Sequence, residues 1–401
     1  MSEWKEYKLD EITNISTGYA FKGDEYEFKG KLRVVRGENV TIGNLRWDSE
    51  KYWNKSTNGL KQYYLEENDI VIGMDGSRVG HNRAKIKAQE LPLILAQRVA
   101  RLRAKNEFDQ EFLWYHIFSN SFKDYVEAIH TGTSIPHISQ KQIADFEILT
   151  PILKSEQTAI ASVLSSLDDK IDLLHRQNAT LEKMAETLFR QWFVEEAKEE
   201  WEEVELGQLI EINGGFSYKG EYIGPGDALL LGMGCVSFQD RFLPSGARSY
   251  SGDCPEKYLV NPTDLVIATR QQSDNLPILG FPAIIPPEFK GKKVIVGANL
   301  YRVKNNTPID NYFFYLILRS AEYREHILAS SKGSTVRMIT KDAIEKYKIA
   351  LPSSEVIKKL MQLLKPINEK SIKNQTQIRT LTSLRDTLLP KLMSGEVRVE
   401  N

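Results

Sequence analysis

The chain reads as an α+β protein: two duplicated domains with twisted β-sheets, joined by two long helices that form an antiparallel coiled coil and relate the halves by a pseudo-two-fold axis. Three observations predict this. Blocks of sequence recur at a separation near 200 residues. Each copy is followed by an apolar series spaced alternately four and three residues apart. Short apolar runs bounded by turn residues fill the copies themselves.

The repeat comes first. Trp4 to Gly23 aligns without a gap on Trp201 to Gly220, with seven of twenty positions identical: Trp4/Trp201, Glu6/Glu203, Leu9/Leu206, Ile15/Ile212, Gly18/Gly215, Lys22/Lys219 and Gly23/Gly220. Asn68 to Ile72 matches Thr263 to Ile267, and Gly132 to Pro151 matches Gly333 to Pro352. The offset drifts from 197 to 195 to 201, as loops of unequal length within a duplicated domain would produce. So long a period excludes a solenoid of short units.

Helices follow each copy. Ile160, Leu164, Leu167, Ile171, Leu174, Asn178, Leu181, Ala185, Leu188 and Trp192 form a coiled-coil seam. A weaker version recurs 200 residues on, from Leu360 through Asn374 to Leu392. Pro366 and Pro390 interrupt the hydrogen-bond ladder, so the second helix should start late or kink there. Placing Ile160 opposite Leu392 puts Asn178 opposite Asn374, and a buried Asn pair fixes register at some cost in stability. These two side chains are therefore expected to meet. The sequence divides as 1–152, first domain; 153–199, long helix; 200–352, second domain; 353–401, long helix and tail. Within the domains, Leu32 to Val35, Asp264 to Thr269 and similar runs read as strands. Glu111 to Phe118 and Asn311 to Leu318 read as aromatic-rich helices.

Composition sets limits on function. The 401 residues hold 53 Lys plus Arg against 54 Asp plus Glu, so the whole chain has no positive field. An N-terminus without a signal-like core, no long apolar run and only two cysteines point to a cytoplasmic protein with reduced thiols and no membrane span. No phosphate-binding GxxxxGK[ST], HExxH or GxSxG motif occurs, and GMGC at Gly232 is too short to mark a cofactor loop. No catalytic or metal-ligating constellation emerges.

The basic residues, by contrast, are patterned. Residues 76–105 contain Arg78, Arg83, Lys85, Lys87, Arg98, Arg101, Arg103 and Lys105 against Glu90 alone. The second copy has Arg270, Lys290, Lys292, Lys293, Arg302 and Lys304 in the related stretch. Such charge suits contact with DNA phosphates. Base reading needs directional donors and acceptors. Two loop classes supply them: Gly73 to Arg83, with Ser77, Arg78 and His81, answered by Arg270, Gln271 and Gln272; and the glycine loop, with Thr133, Ser134, His137 and Gln140, answered by Ser334, Thr335, Arg337 and Lys341. Lys22, Lys219 and Arg36 complete the DNA-binding candidates. The loops share a framework but differ in the residues that would read bases, which implies two different half-sites. A fused enzyme or a tandem-domain protein scaffold is the competing reading.

These features resemble the specificity subunit of type I restriction-modification enzymes. The resemblance rests on the W…L…I…G opening of each half, GTSIPHIS and GSTVRMIT, SEQTAI leading into the first helix, and LLPKLMSGEVRV at the end. SSEVIKKL, from Ser353 to Leu360, departs from it by lacking the Glu-Gln of the first helix start. The resemblance implies a non-catalytic subunit in which each target-recognition domain reads half of a split, asymmetric double-stranded DNA site. It further implies a coiled coil that sets the gap and docks two methyltransferase subunits, which carry S-adenosylmethionine. Restriction-translocase subunits using ATP and Mg²⁺ would join for cleavage, and no cofactor belongs to this subunit itself. A subunit of a related methyltransferase or type II system is a variant of the same role.

Overall fold

The computed structural model describes residues 3–76, 78–130, 136–238, 240–271, 278–333 and 336–399. Two compact units result: Met1–Asp172 with Thr380–Asn401, and Leu173–Arg379. Packing thus cuts across the four-part division of the sequence. Each unit takes one sheet domain plus a share of both long helices, because the apolar faces of the helix ends complete the domain cores.

In the first unit the main sheet has strand order Thr13–Thr17, Val99–Ala104, Ile70–Gly73, Arg83–Lys85, Ile42–Gly43. The middle strand is an unbroken apolar run, Ile70–Val71–Ile72, and is wholly buried, as a strand covered on both faces must be. The second unit repeats the first four places of that order with Ile210–Gly214, Leu300–Asn305, Leu265–Ala268 and Pro282–Ile284. The ends of each domain pair as well: Trp4–Lys8 runs antiparallel to Glu147–Pro151, and Glu202–Glu205 to Lys348–Leu351. The aromatic-rich patches are helices, Gln110–Phe118 and Asn311–Ile317, each buried in its unit's core. Their starts are set alike, with the Asp109 and Asp310 carboxylates accepting from backbone N–H groups of Phe112 and Tyr312. Ser119 and Ser320 then cap the next helices, Asn120–Ile129 and Ala321–Ser330.

Duplication extends to backbone detail. Gly80 and Gly280 both have positive φ, and a Cβ on either would strike the β-branched residue of the facing helix, Val126 at 2.9 Å or Ile327 at 2.7 Å. Glycine alone satisfies both the left-handed conformation and the close approach. The second unit differs in carrying a further four-stranded sheet, order Ala247–Tyr250, Ile223–Leu231, Val294–Val296, Leu259–Val260. In its place the described residues of the first unit form the parallel pair Arg33–Val35 and Leu93–Leu95.

The first long helix is Lys154–Arg190, ending in a π-helical turn at Gln191–Glu195, and the second is Ser354–Met393. The expectation of a late start is corrected: the helix runs through both prolines. Pro366 and Pro390 are exposed, as are Gln362 and Asp386 one turn before, so the carbonyls that lose a donor lie on the solvent side. Apolar burial holds the opposite face, with Leu360, Leu364 and Leu392 at 1%, 0% and 2% exposure. The register is as expected. Asn374 Nδ2 donates to Asn178 Oδ1 at 3.0 Å and lies 3.3 Å from Gln177 Oε1.

Candidate nucleic-acid interface

A loop leaves the C-terminal end of each unit's central strand. In the first unit it runs beside the segment that follows the glycine loop: Gly76 N–H donates to the Pro136 carbonyl, Ile138 N–H to the Met74 carbonyl, and Asp75 bridges His137. The second unit does the same with its own residues. Ile339 N–H donates to the Thr269 carbonyl, and Arg270–Gln271 pairs antiparallel with Arg337–Met338. The two loop classes singled out in the sequence are therefore one surface in each copy. The backbone scaffold is shared while the side chains differ.

The candidate residues fall into three groups. Arg78, His137 and Gln140 are exposed on the first unit's loop surface, with Gln140 Nε2 donating to the Ile15 carbonyl at 2.9 Å. Arg270 and Arg337 are exposed on the paired strands of the second, opposite Met338 and Gln271 respectively, where Lys341 is half-buried, and none of the three forms an ion pair among the described residues. Lys22 and Lys219 are exposed at matching places near the openings of the copies, Lys219 lying 3.7 Å from Glu221. His81 faces Glu127 at 2.9 Å.

A second group is spent on the fold, and these candidates are corrected. Arg83 is 5% exposed and donates to the carbonyls of Gly80, Phe118 and Ser119; burial pushes it down to about 10. Arg101 donates to the Gln62 and Tyr64 carbonyls, and burial, with Arg103 beside it, lowers its pKa. Lys85 is held by Glu111 at 2.5 Å, and Gln271 is buried. Arg36 pairs with Glu38 and donates to the Ser49 carbonyl, and Arg302 donates to the Lys257 carbonyl at 2.9 Å. Each of these four guanidinium groups is anchored to backbone carbonyls and keeps its Nε buried, which leaves little of it for a base or phosphate. The third group, Ser77, Thr133, Ser134, Gln272, Ser334 and Thr335, lies outside the described residues, as does Gly132.

Two cations on these surfaces were not among the sequence candidates. Arg98, with φ of 73°, is 61% exposed at the loop surface, 3.9 Å from Asp75. Arg248 is held in place by the Tyr218 hydroxyl at 2.8 Å. Arg98 was visible as part of the basic run. Arg248 sits in the second unit's extra sheet, where no repeat partner could flag it.

The family model described as "Type I restriction modification DNA specificity domain" matches residues 1–183 and again 198–382. The chain belongs to this family. The two matches are the two copies, so each unit supplies one specificity domain. Similarity to the type I restriction enzyme MjaIX specificity subunit of Methanocaldococcus jannaschii spans 99% of this chain and 94% of that one at 27% identity. The HindI specificity subunit of Haemophilus influenzae aligns over 99% and 100% of the two chains at 23% identity. The crystal structure of a type I restriction-modification S subunit from M. genitalium superposes with a TM-score of 0.61, covering 98% of this chain and 96% of that one at 18% identity. That likeness shows the specificity-subunit fold: duplicated sheet domains with two long helices.

Proposed function

We propose that this chain selects the DNA sequence on which a type I restriction-modification complex acts. Each unit reads one half of a bipartite, asymmetric site through the paired loop surface at the end of its central strand. The long helices set the number of unread base pairs and dock two methyltransferase subunits, whose S-adenosylmethionine supplies the methyl group for adenine. Restriction-translocase subunits, with ATP and Mg²⁺, act on the site so chosen. The subunit itself contributes recognition and no bond-making step.

One observation carries this reading. The same two loops are hydrogen-bonded together in both copies, yet Arg78, His137 and Gln140 occupy one surface and Arg270, Arg337 and Lys341 the other. Arginine favours guanine and glutamine favours adenine in the major groove, so unlike surfaces select unlike half-sites. The test is to map methylated adenines in a host expressing the chain with its methyltransferase partner. A two-part motif with a fixed gap and unequal halves is expected, and a single continuous palindrome would overturn the proposal.

A further inference from the structure

The first unit contains a cleft of about 600 Å³. Its walls are Phe118, Phe146, Ile148, Leu149, Leu389 and Met393, and its polar groups include Glu6, Glu147, Asp386 and His116. His116 is only 7% exposed, and its Nε2 has no hydrogen-bond partner among the described residues. Burial pushes the imidazole down to about 3 against a backbone hydrogen bond to Leu149, so the ring is neutral at physiological pH, and in the tautomer protonated at Nδ1 its Nε2 accepts from an N–H donor. A buried polar atom without a partner calls for an explanation.

The second unit shows which charges the corresponding elements can carry. The repeat equates Phe118 with Arg319, Asp386 with Glu186, Glu147 with Lys348, Glu6 with Glu203 and His116 with Ile317. In the second unit Arg319 reaches Glu186 at 2.9 Å, and Lys348 reaches Glu203 at 3.2 Å. Phe189 and Phe193 stack there, where the first unit has Leu389 and Met393. The first unit therefore keeps the acids and loses both cations, with a third carboxylate standing where a lysine would be. Glu6 and Glu147 form no ion pair among the described residues, and Asp386 shares Arg385 with Asp168. Apolar walls, an acidic rim and a buried acceptor together fit a planar donor-rich cation on a hydrophobic stem.

We propose that this cleft seats an arginine side chain contributed by a partner protein of the assembled complex, its guanidinium supplying beside Asp386 the charge that Arg319 brings to Glu186 in the second unit. The identity of the occupant rests on the function proposed above; the chemistry of the cleft does not. Because the second unit carries cations of its own at the corresponding positions, the contact distinguishes the two copies of an otherwise duplicated subunit.

The test uses the full chain with nitrogen-labelled histidine. Acetyl-arginine amide is expected to shift the His116 Nε2 resonance saturably in the millimolar range, the affinity expected of one such side chain. Acetyl-leucine amide is expected to have no such effect. Phe118→Arg imports the second unit's own cation beside Asp386, leaves His116 as the reporter, and should abolish the response. Glu147→Lys, an exposed change that leaves the core intact, should weaken it. In the assembled complex both variants should weaken partner association about tenfold. No saturable shift, an equal response to the leucine probe, or unchanged partner affinity in both variants would overturn the inference. The probe titration needs neither DNA nor partner, so its failure is separable from failure of the bipartite reading.

Discussion

Asn374 is fully buried and donates to Asn178, and its own side-chain oxygen lacks a partner among the described residues. Replacing Asn374 by Leu strands the Asn178 amide and should cost about 1–3 kcal/mol in denaturant unfolding. Changing both to Leu should recover that loss, since two apolar groups need no partner, while loosening the register that the pair specifies. The same logic holds more strongly at Arg241, which is 1% exposed and bonds Glu182, Asn368 and the Tyr312 hydroxyl. Arg241→Met leaves Glu182 buried without its cation, a loss of about 3–5 kcal/mol that Glu182→Leu in the same chain should largely restore. His116 adds a pH dependence of its own. Its folded pKa lies below the unfolded value, so the unfolded chain binds the proton more readily. The stability it contributes is present above about pH 6.5 and lost as pH falls toward about 3. Thermal unfolding of His116→Ile should therefore decline less between neutral and acid pH than that of the unaltered chain.

Elements behave less locally than residues. The second long helix passes through two prolines because its seam face is buried on either side of Pro366, at Leu364 and Ser371. The local rule against proline is outweighed by packing that the rule does not contain. Pro366 is exposed, so Pro366→Ala restores a backbone donor without disturbing a contact. It should stabilise the chain by up to ~3 kcal/mol, seen as a higher unfolding midpoint. No gain would mean that this turn is held in a shape alanine does not improve. The strands show the converse. Ile70–Gly73 and Leu265–Ala268 were legible as apolar runs because a strand buried on both faces has no polar alternation to obscure it.

For the molecule as a whole, the two reading surfaces are expected to act separately, since each unit has its own core. Arg270→Ala with Arg337→Ala should relax only one half of the methylated motif, and Arg78→Ala only the other, as mapped by adenine methylation. Loss of both halves together from either change would contradict independent reading. The sequence by itself determined the duplication, the kinds of element and the Asn178–Asn374 register. All three follow from repetition and periodicity along the chain. Only the tertiary structure decided which cations are available. The acceptors that consume Arg83 and Arg101 come from residues up to 39 positions away in sequence. It likewise revealed that one copy has lost the two cations that the other keeps. Charge is written in the sequence, but burial and partnership depend on which distant segments the fold brings alongside.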